Sequence, residues 1–383
     1  MGVNQKQNFT AKKLVADEKG FLLIAALTLL TVLTLLGTTA YILSSTDIKV
    51  GGNFRDSQLV LQVAMAGAQK ARAQLSSELF PTTGTVVSLS AELASKKGAN
   101  NVLNGYASGT DDVALASGSL NGATYVAYLT NDALDANGQY STTDANSKVL
   151  ITSVATGPNN STARVEVVVY SPSDLASSPA TVYSKGDVTG NGSSLTVNGN
   201  DSCGAGAALA PIYTKDPATT NMNGNPTLSG SPSTPQHGST DEDIQGYIDK
   251  LKGGATTTLT ADQNGPTYGS STNYVTVYSD TNTPPNAQGL KLQNVTGYGI
   301  LLVKGDLELG GGFQWNGLIL ATGSVTLNGG GGGINIQGLI FTGTSTLTDI
   351  TINGGNVIGY DSCKVKSALS GAGAKVVNWK QVY

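Results

Sequence analysis

Histidine, cysteine and charge are what this chain has least of. The single histidine, His237 in Pro235-Gln-His-Gly238, leaves no Ser-His-Asp or Cys-His set to assemble, and a lone loop histidine reads as a surface residue. Two cysteines, Cys203 and Cys363, allow one disulfide and no more. Charged residues make up 13% of the chain and the formal net charge is −4, so no nucleic-acid partner is expected. Glycine is the counterweight. With 49 glycines and abundant Ser, Thr and Asn, the composition disfavours long soluble helices and favours short strands joined by tight turns. A length of 383 residues makes two or three domains the expectation.

One long apolar run stands against this background. From Phe21 to Leu43 there is no charge, no proline and one glycine. Those 23 residues span about 34 Å as a helix, enough to cross a bilayer. Its five threonines are tolerated, because a helical threonine hydroxyl can bond back to a carbonyl one turn earlier. The flank before it carries Lys6, Lys12, Lys13 and Lys19 against Asp17 and Glu18, and positive flanks stay on the cytoplasmic side. The expectation is a single-pass inner-membrane chain with everything after Leu43 outside the cytoplasm. A secretory signal has a shorter apolar core followed by its cleavage site, whereas here the polar-to-apolar junction falls before the run, at Lys19-Gly20-Phe21.

That junction resembles the type III signal of type IV pilins. The resemblance implies cleavage by prepilin peptidase between Gly20 and Phe21, methylation of Phe21, and a mature chain of 383 − 20 = 363 residues. The continuation Val50-Gly-Gly-Asn-Phe-Arg-Asp-Ser-Gln-Leu59, with Gln62-Val-Ala-Met-Ala-Gly-Ala-Gln-Lys-Ala-Arg72, looks like the N-terminal region of PilX-type minor pilins. Major pilins carry glutamate at the fifth mature position, where this chain has Ala25, and that departure points within the family to a minor pilin. The partners implied are other pilins through the N-terminal helix, the peptidase and the inner membrane, with the pilus or cell surface as destination.

Past the membrane segment, Leu61, Met65, Ala68, Leu75 and Leu79 recur at helical spacing and form the expected buried face. Gly51-Gly52 is a candidate hinge, and Pro81 ends the helix. Strands are expected at 123–130, 148–155 and 163–170, each rich in β-branched residues and bounded by turn formers. The fold class is therefore α+β: a long N-terminal membrane-spanning helix on a small antiparallel sheet, followed by a mostly-β parallel solenoid. The expected divisions are a leader at 1–20, the helix at 21–80, the sheet region at 81–170, a linker at 171–180 and a glycine-rich solenoid at 181–383.

The solenoid rests on a repeat. Segments beginning at Gly299, Gly317 and Gly338 match one another, and Gly359 opens an expected fourth coil. Trp315 and Phe313 are placed on an end or a coil face. Lys185-Gly-Asp-Val188 matches Lys304-Gly-Asp-Leu307 and marks an earlier coil, leaving 204–296 as a polar insertion with a short helix at 240–251. Asp201-Ser-Cys203 and Asp361-Ser-Cys363 each end a coil, and with no other cysteine a Cys203–Cys363 disulfide is expected. Glycine-rich β-helical C-terminal domains of this kind occur in PilX-like proteins.

No catalytic residue and no cofactor are assigned. β-Helices also host polysaccharide-active enzymes, but Lys304, Asp306 and Glu308 read as one solvated outer face and not as a carboxylate pair. Asp132, Asp135, Asn137 and Asp144 surround a glycine and are calcium candidates; Ala133 occupies the first ligand position, so a metal-free polar loop is the preferred reading. The functional expectation is a minor pilin. The alternative is a membrane-anchored adhesin or glycan-binding β-helix protein, with a polysaccharide-active enzyme behind both.

Overall fold

The computed structural model describes residues 11–106, 111–281, 289–343 and 349–382. A helix of 69 residues, α1 (Ala11–Leu79), dominates it. Threonines inside the helix bond back onto the preceding turn: Thr31 Oγ1 donates to Leu27 O at 2.6 Å and Thr39 Oγ1 to Leu35 O at 2.8 Å. The helix runs unbroken through Gly51-Gly52, so the expected hinge is absent; one glycine pair costs too little to break so long a ladder. It stops two residues before Pro81.

The far half of α1 lies on a five-stranded antiparallel sheet. In order across the sheet these are β1 (Ala116–Leu120), β2 (Ala123–Asn131), β3 (Lys148–Thr156), β4 (Thr162–Tyr170) and β5 (Lys375–Val382). Its buried helical face is Val60, Val63, Ala64, Ala68, Ala71, Leu75 and Leu79, rotated from the expected one, since Met65 is 41% exposed and Leu61 half-buried. Small residues allow close approach: a Cβ on Gly67 would lie 2.5 Å from Ser153 Oγ and 2.6 Å from Tyr125. Each fully buried leucine here contributes about 2 kcal/mol. A short helix, α2 (Leu89–Ser95), capped by Ser88, is tied to α1 by Lys96, which reaches Glu78 at 2.8 Å and Glu92 at 2.9 Å.

The second sheet winds into a three-sided parallel solenoid. Along its axis the coils follow the order 257–268, 275–298, 299–316, 317–337, 338–358, 180–198 and 210–229, with 236–238 starting one more. The chain thus enters in mid-stack and winds to one end. It then crosses by α3 (Ile244–Leu251) to the other end and winds back until 338–358 docks on 180–198. The expected polar insertion 204–296 is therefore mostly solenoid: its short strands pair in register with the recognised coils, but its Asn and Thr content hides the pattern. The short helix begins at Ile244, after the Asp243 cap, and not at Thr240.

One side of the solenoid is buried on both faces, which is why its strands read as continuous apolar runs. In 299–304 and 317–321, Leu301, Val303, Ile319 and Ala321 fill the interior. Ile300, Leu302, Leu318 and Leu320 face outward into the core shared with α3 and α4 (Ser362–Ala372). Glycines sit at the corner preceding this side because nothing else fits: a Cβ on Gly338, at φ +152°, would lie 1.7 Å from Gly317 O.

Four expectations change here. Gly359 opens no fourth coil; after Tyr360 the chain turns into α4. Residues 375–382 leave the solenoid and return as β5 beside β4. The segment 171–180 is no free tether, since Ser171, Ser173 and Leu175 are buried. Trp315 and Phe313 cap nothing: both are fully buried inside, stacked at 6.0 Å, with Trp315 Nε1 donating to Gly299 O at 3.1 Å.

Candidate functional site

Three places hold the residues singled out above. The first is the near half of α1. Every residue from Gly20 to Ser44 is exposed, with Phe21 at 75%, while the same helix is buried on the sheet from Val60 onward. This stretch is long and apolar enough to cross a membrane, and none of its most apolar window is buried within the chain. Gly20, Phe21 and Ala25 lie on it as continuous helix. Residues 1–10 of the expected leader lie outside the described residues.

The second place is the seam between the two halves of the solenoid. Cys203 and Cys363 are joined there, with Cα atoms 5.8 Å apart. The two Asp-Ser-Cys segments grip one another. Ser362 N and Oγ donate to Asp201 at 2.8 and 2.7 Å, while Ser202 Oγ donates to Asp361 at 3.1 Å. Burial pushes the Asp201 carboxyl up, but hydrogen bonds from the Ser362 and Gly206 amides outweigh it and hold it below its ordinary value. Among the described residues, Cys203, Asp361 and Cys363 are the group close enough to share a metal ion, and the disulfide consumes both sulfurs.

The third place is the loop between β2 and β3. Asp135 accepts from the amides of Asn137 at 2.7 Å and Ala145 at 2.8 Å; Asp144 accepts from Ser147 at 2.9 Å. These carboxylates brace the loop backbone, and Asp132, Asp135 and Asp144 do not converge within ligand distance of one another. Burial, and then the charge of Asp174, pushes Asp144 up to about 6. Asp174 itself takes a bond from Ser147 Oγ at 3.0 Å, joining the loop to the chain leading into the solenoid. Nothing in the sequence spacing signalled this contact.

The remaining candidates scatter. His237 is exposed and pairs with Asp216 at 3.3 Å. Lys304 and Glu308 fall on different sides of the solenoid, because a corner at Gly305 separates their strands; the expected single face is therefore wrong. Lys304 faces Asp280 at 3.7 Å, and Glu308 pairs with Lys291 at 2.8 Å. A feature the sequence reading missed is an asparagine ladder on the open side. Asn223 donates to Asn191 at 3.1 Å, Asn191 to Asn353 at 3.2 Å and Asn353 to Asn328 at 3.1 Å. The signal was present as Thr-x-Asn in 326–328 and 351–353, each following an inward-facing Val or Ile.

No family model matches the sequence, and no curated protein matches it. Solved structures similar to it include the following two. A crystal structure of an ice binding protein from an Antarctic biological consortium covers 48% of this chain and 89% of its own, at 14% identity and a TM-score of 0.27. The competence-associated pilin ComZ from Thermus thermophilus covers 85% of this chain and 98% of its own, at 13% identity and a TM-score of 0.26. Scores this far below 0.5 assign neither fold nor role. The chain is defined by its own architecture: an apolar helix on a small antiparallel sheet, carrying a disulfide-closed parallel solenoid.

Proposed function

We propose that this chain is a minor pilin of the PilX type, a structural and non-catalytic component of a type IV pilus-like fibre. The observation that carries the reading is the bare apolar stretch of α1, exposed from Gly20 onward and preceded by a basic leader. Apolar surface of this extent needs a bilayer or other helices to cover it. In this reading the precursor sits in the inner membrane and prepilin peptidase cuts between Gly20 and Phe21. Phe21 is then methylated, and the same surface packs against neighbouring pilins. Ala25 offers no carboxylate to a neighbour's N-terminal amine, which suits a low-copy initiating or capping position. The test is N-terminal sequencing and intact mass of the protein from sheared fibres and from membranes. A chain starting at methylated Phe21 in the fibres supports the reading; an uncut chain confined to membranes overturns it.

A second, compatible reading is an adhesin. The asparagine ladder favours it, because amides fixed rung to rung form a preorganised, uncharged hydrogen-bonding surface suited to glycans.

A further inference from the structure

The solenoid stops in mid-coil. In coil after coil, the first inward residue of the second side donates its amide to the corner residue of the next coil. Leu290 donates to Asp306, Leu307 to Ser324, Val325 to Asp349, Ile350 to Asp187 and Val188 to Thr219, all at 2.8–3.0 Å. Thr220 is next in this column. Its amide has no acceptor among the described residues, and its Oγ1 is buried without a partner. On the third side the acceptors are Val295, Phe313 and Leu195, which take bonds from Gln314, Asn335 and Thr227. Pro226 O is the next in that series. Among the described residues the first side alone is continued, by residues 236–238 pairing in parallel with 213–215.

What remains is a mouth. Thr220, Met222 and Leu228 project inward from the last coil, where the coil beneath has Val188, Gly190 and Val197. They line a recess of about 550 Å³, walled on one side by Gln236 and His237. The lining carries one carboxylate, Asp216, which meets His237 Nδ1 at 3.3 Å at the rim. Met222 and Leu228 are only half-buried, although the interior residues one coil below, Val188 and Val197, are fully buried.

We infer that this end of the solenoid is a strand-acceptor site, which binds an extended, uncharged peptide segment of a partner protein as the missing sides of the eighth coil. Continuity of the ladder identifies the occupant. An open column of donors, an open column of acceptors and an apolar mouth between them are satisfied together by a parallel strand with apolar residues at alternate positions. A compact apolar ligand would leave the backbone groups unpaired. This inference is independent of the pilin reading.

The chain supplies its own probe. In the uncharged peptide Ile350–Gly359, Ile350, Ile352 and Ile358 have the spacing of Thr220, Met222 and Leu228, and all three align in register through the intervening coil. The experiment adds this peptide, fluorescently labelled and blocked at both termini, to the full chain in detergent. It measures anisotropy together with amide exchange at Thr220 and Met222. Saturable binding with exchange slowed about tenfold at those two amides is expected, and a peptide with its three isoleucines replaced by serine should not bind. Leu228→Asp should abolish binding. Because that variant also loads a charge into the last coil, a second variant separates folding from binding: Thr220→Val, which removes the orphaned hydroxyl, should bind at least as tightly. Unchanged exchange at saturating peptide overturns the inference, as does equal binding of the serine peptide. Closure of the mouth by a second copy of the chain that excludes the peptide overturns it too.

Discussion

Asp144 holds its loop together. In sequence it is a calcium candidate in a loop whose preferred reading is metal-free; in the folded chain its carboxylate accepts from the Ser147 and Lys148 amides and faces Asp174. Burial and that neighbouring charge raise it to about 6 from an ordinary 3.8. A group raised on folding binds its proton more tightly in the native state, so its contribution to stability is full below about 3.8 and is lost as the pH rises through about 6. Thermal unfolding between pH 4 and pH 7 should therefore show stability from this site falling as pH rises. Asp144→Asn, which keeps one acceptor oxygen and cannot ionise, should be the more stable chain at pH 7 and should flatten this part of the profile. A wild-type-like slope in Asp144→Asn would place the titration elsewhere.

At the scale of elements, legibility followed the length of the signal. The apolar stretch of α1, the strands at 123–131 and 148–156, and the glycine-led coils all carry a period that survives without tertiary context. What could not be read depended on partners far away in the chain. Val376, Val377 and Trp379 are largely exposed and carry little patterning, so nothing marked 375–382 as a strand that pairs with β4 two hundred residues earlier. The coil at 220–229 turns Thr220 and Met222 inward where the other coils mostly have leucine, isoleucine or valine, which is why it looked like polar loop. The ion-pair knot at Lys96 was likewise invisible, since Glu78 lies on another helix. Lys96 is nearly buried between Glu78 and Glu92, and burial pushes the Glu92 carboxyl up, helped by its Glu78 neighbour. Lys96→Ala should leave two carboxylates facing each other in a dry contact and cost about 3 kcal/mol in denaturant unfolding. The double variant Glu92→Gln/Lys96→Met should recover most of that loss. If Lys96→Ala unfolds like the parent chain, the knot does not hold α2 on α1.

For the whole molecule the decisive fact is that the solenoid is not wound in chain order. Its two halves, 180–238 and 257–358, meet at one seam, which no peptide link crosses and which backbone hydrogen bonds and side-chain packing join along its length. An uninterrupted solenoid has a peptide link at every coil boundary; this one lacks it where 338–358 meets 180–198. The Cys203–Cys363 disulfide supplies the missing covalent link, and the reciprocal Asp-Ser contacts set its two arms. Because it closes 160 residues, its loss should cost up to ~5 kcal/mol in the chain-entropy account. The location of the loss is more telling than its size. In the Cys203→Ser/Cys363→Ser chain, amides that bridge the seam, Ile350 and Lys185, should exchange faster than Leu307 and Val325, which bond within one half. Protease should then cut first within the 199–209 or 359–363 segments that flank the bridge. Uniform acceleration of all four amides would mean that the disulfide acts on global stability alone and that the seam is no weaker than any other coil boundary.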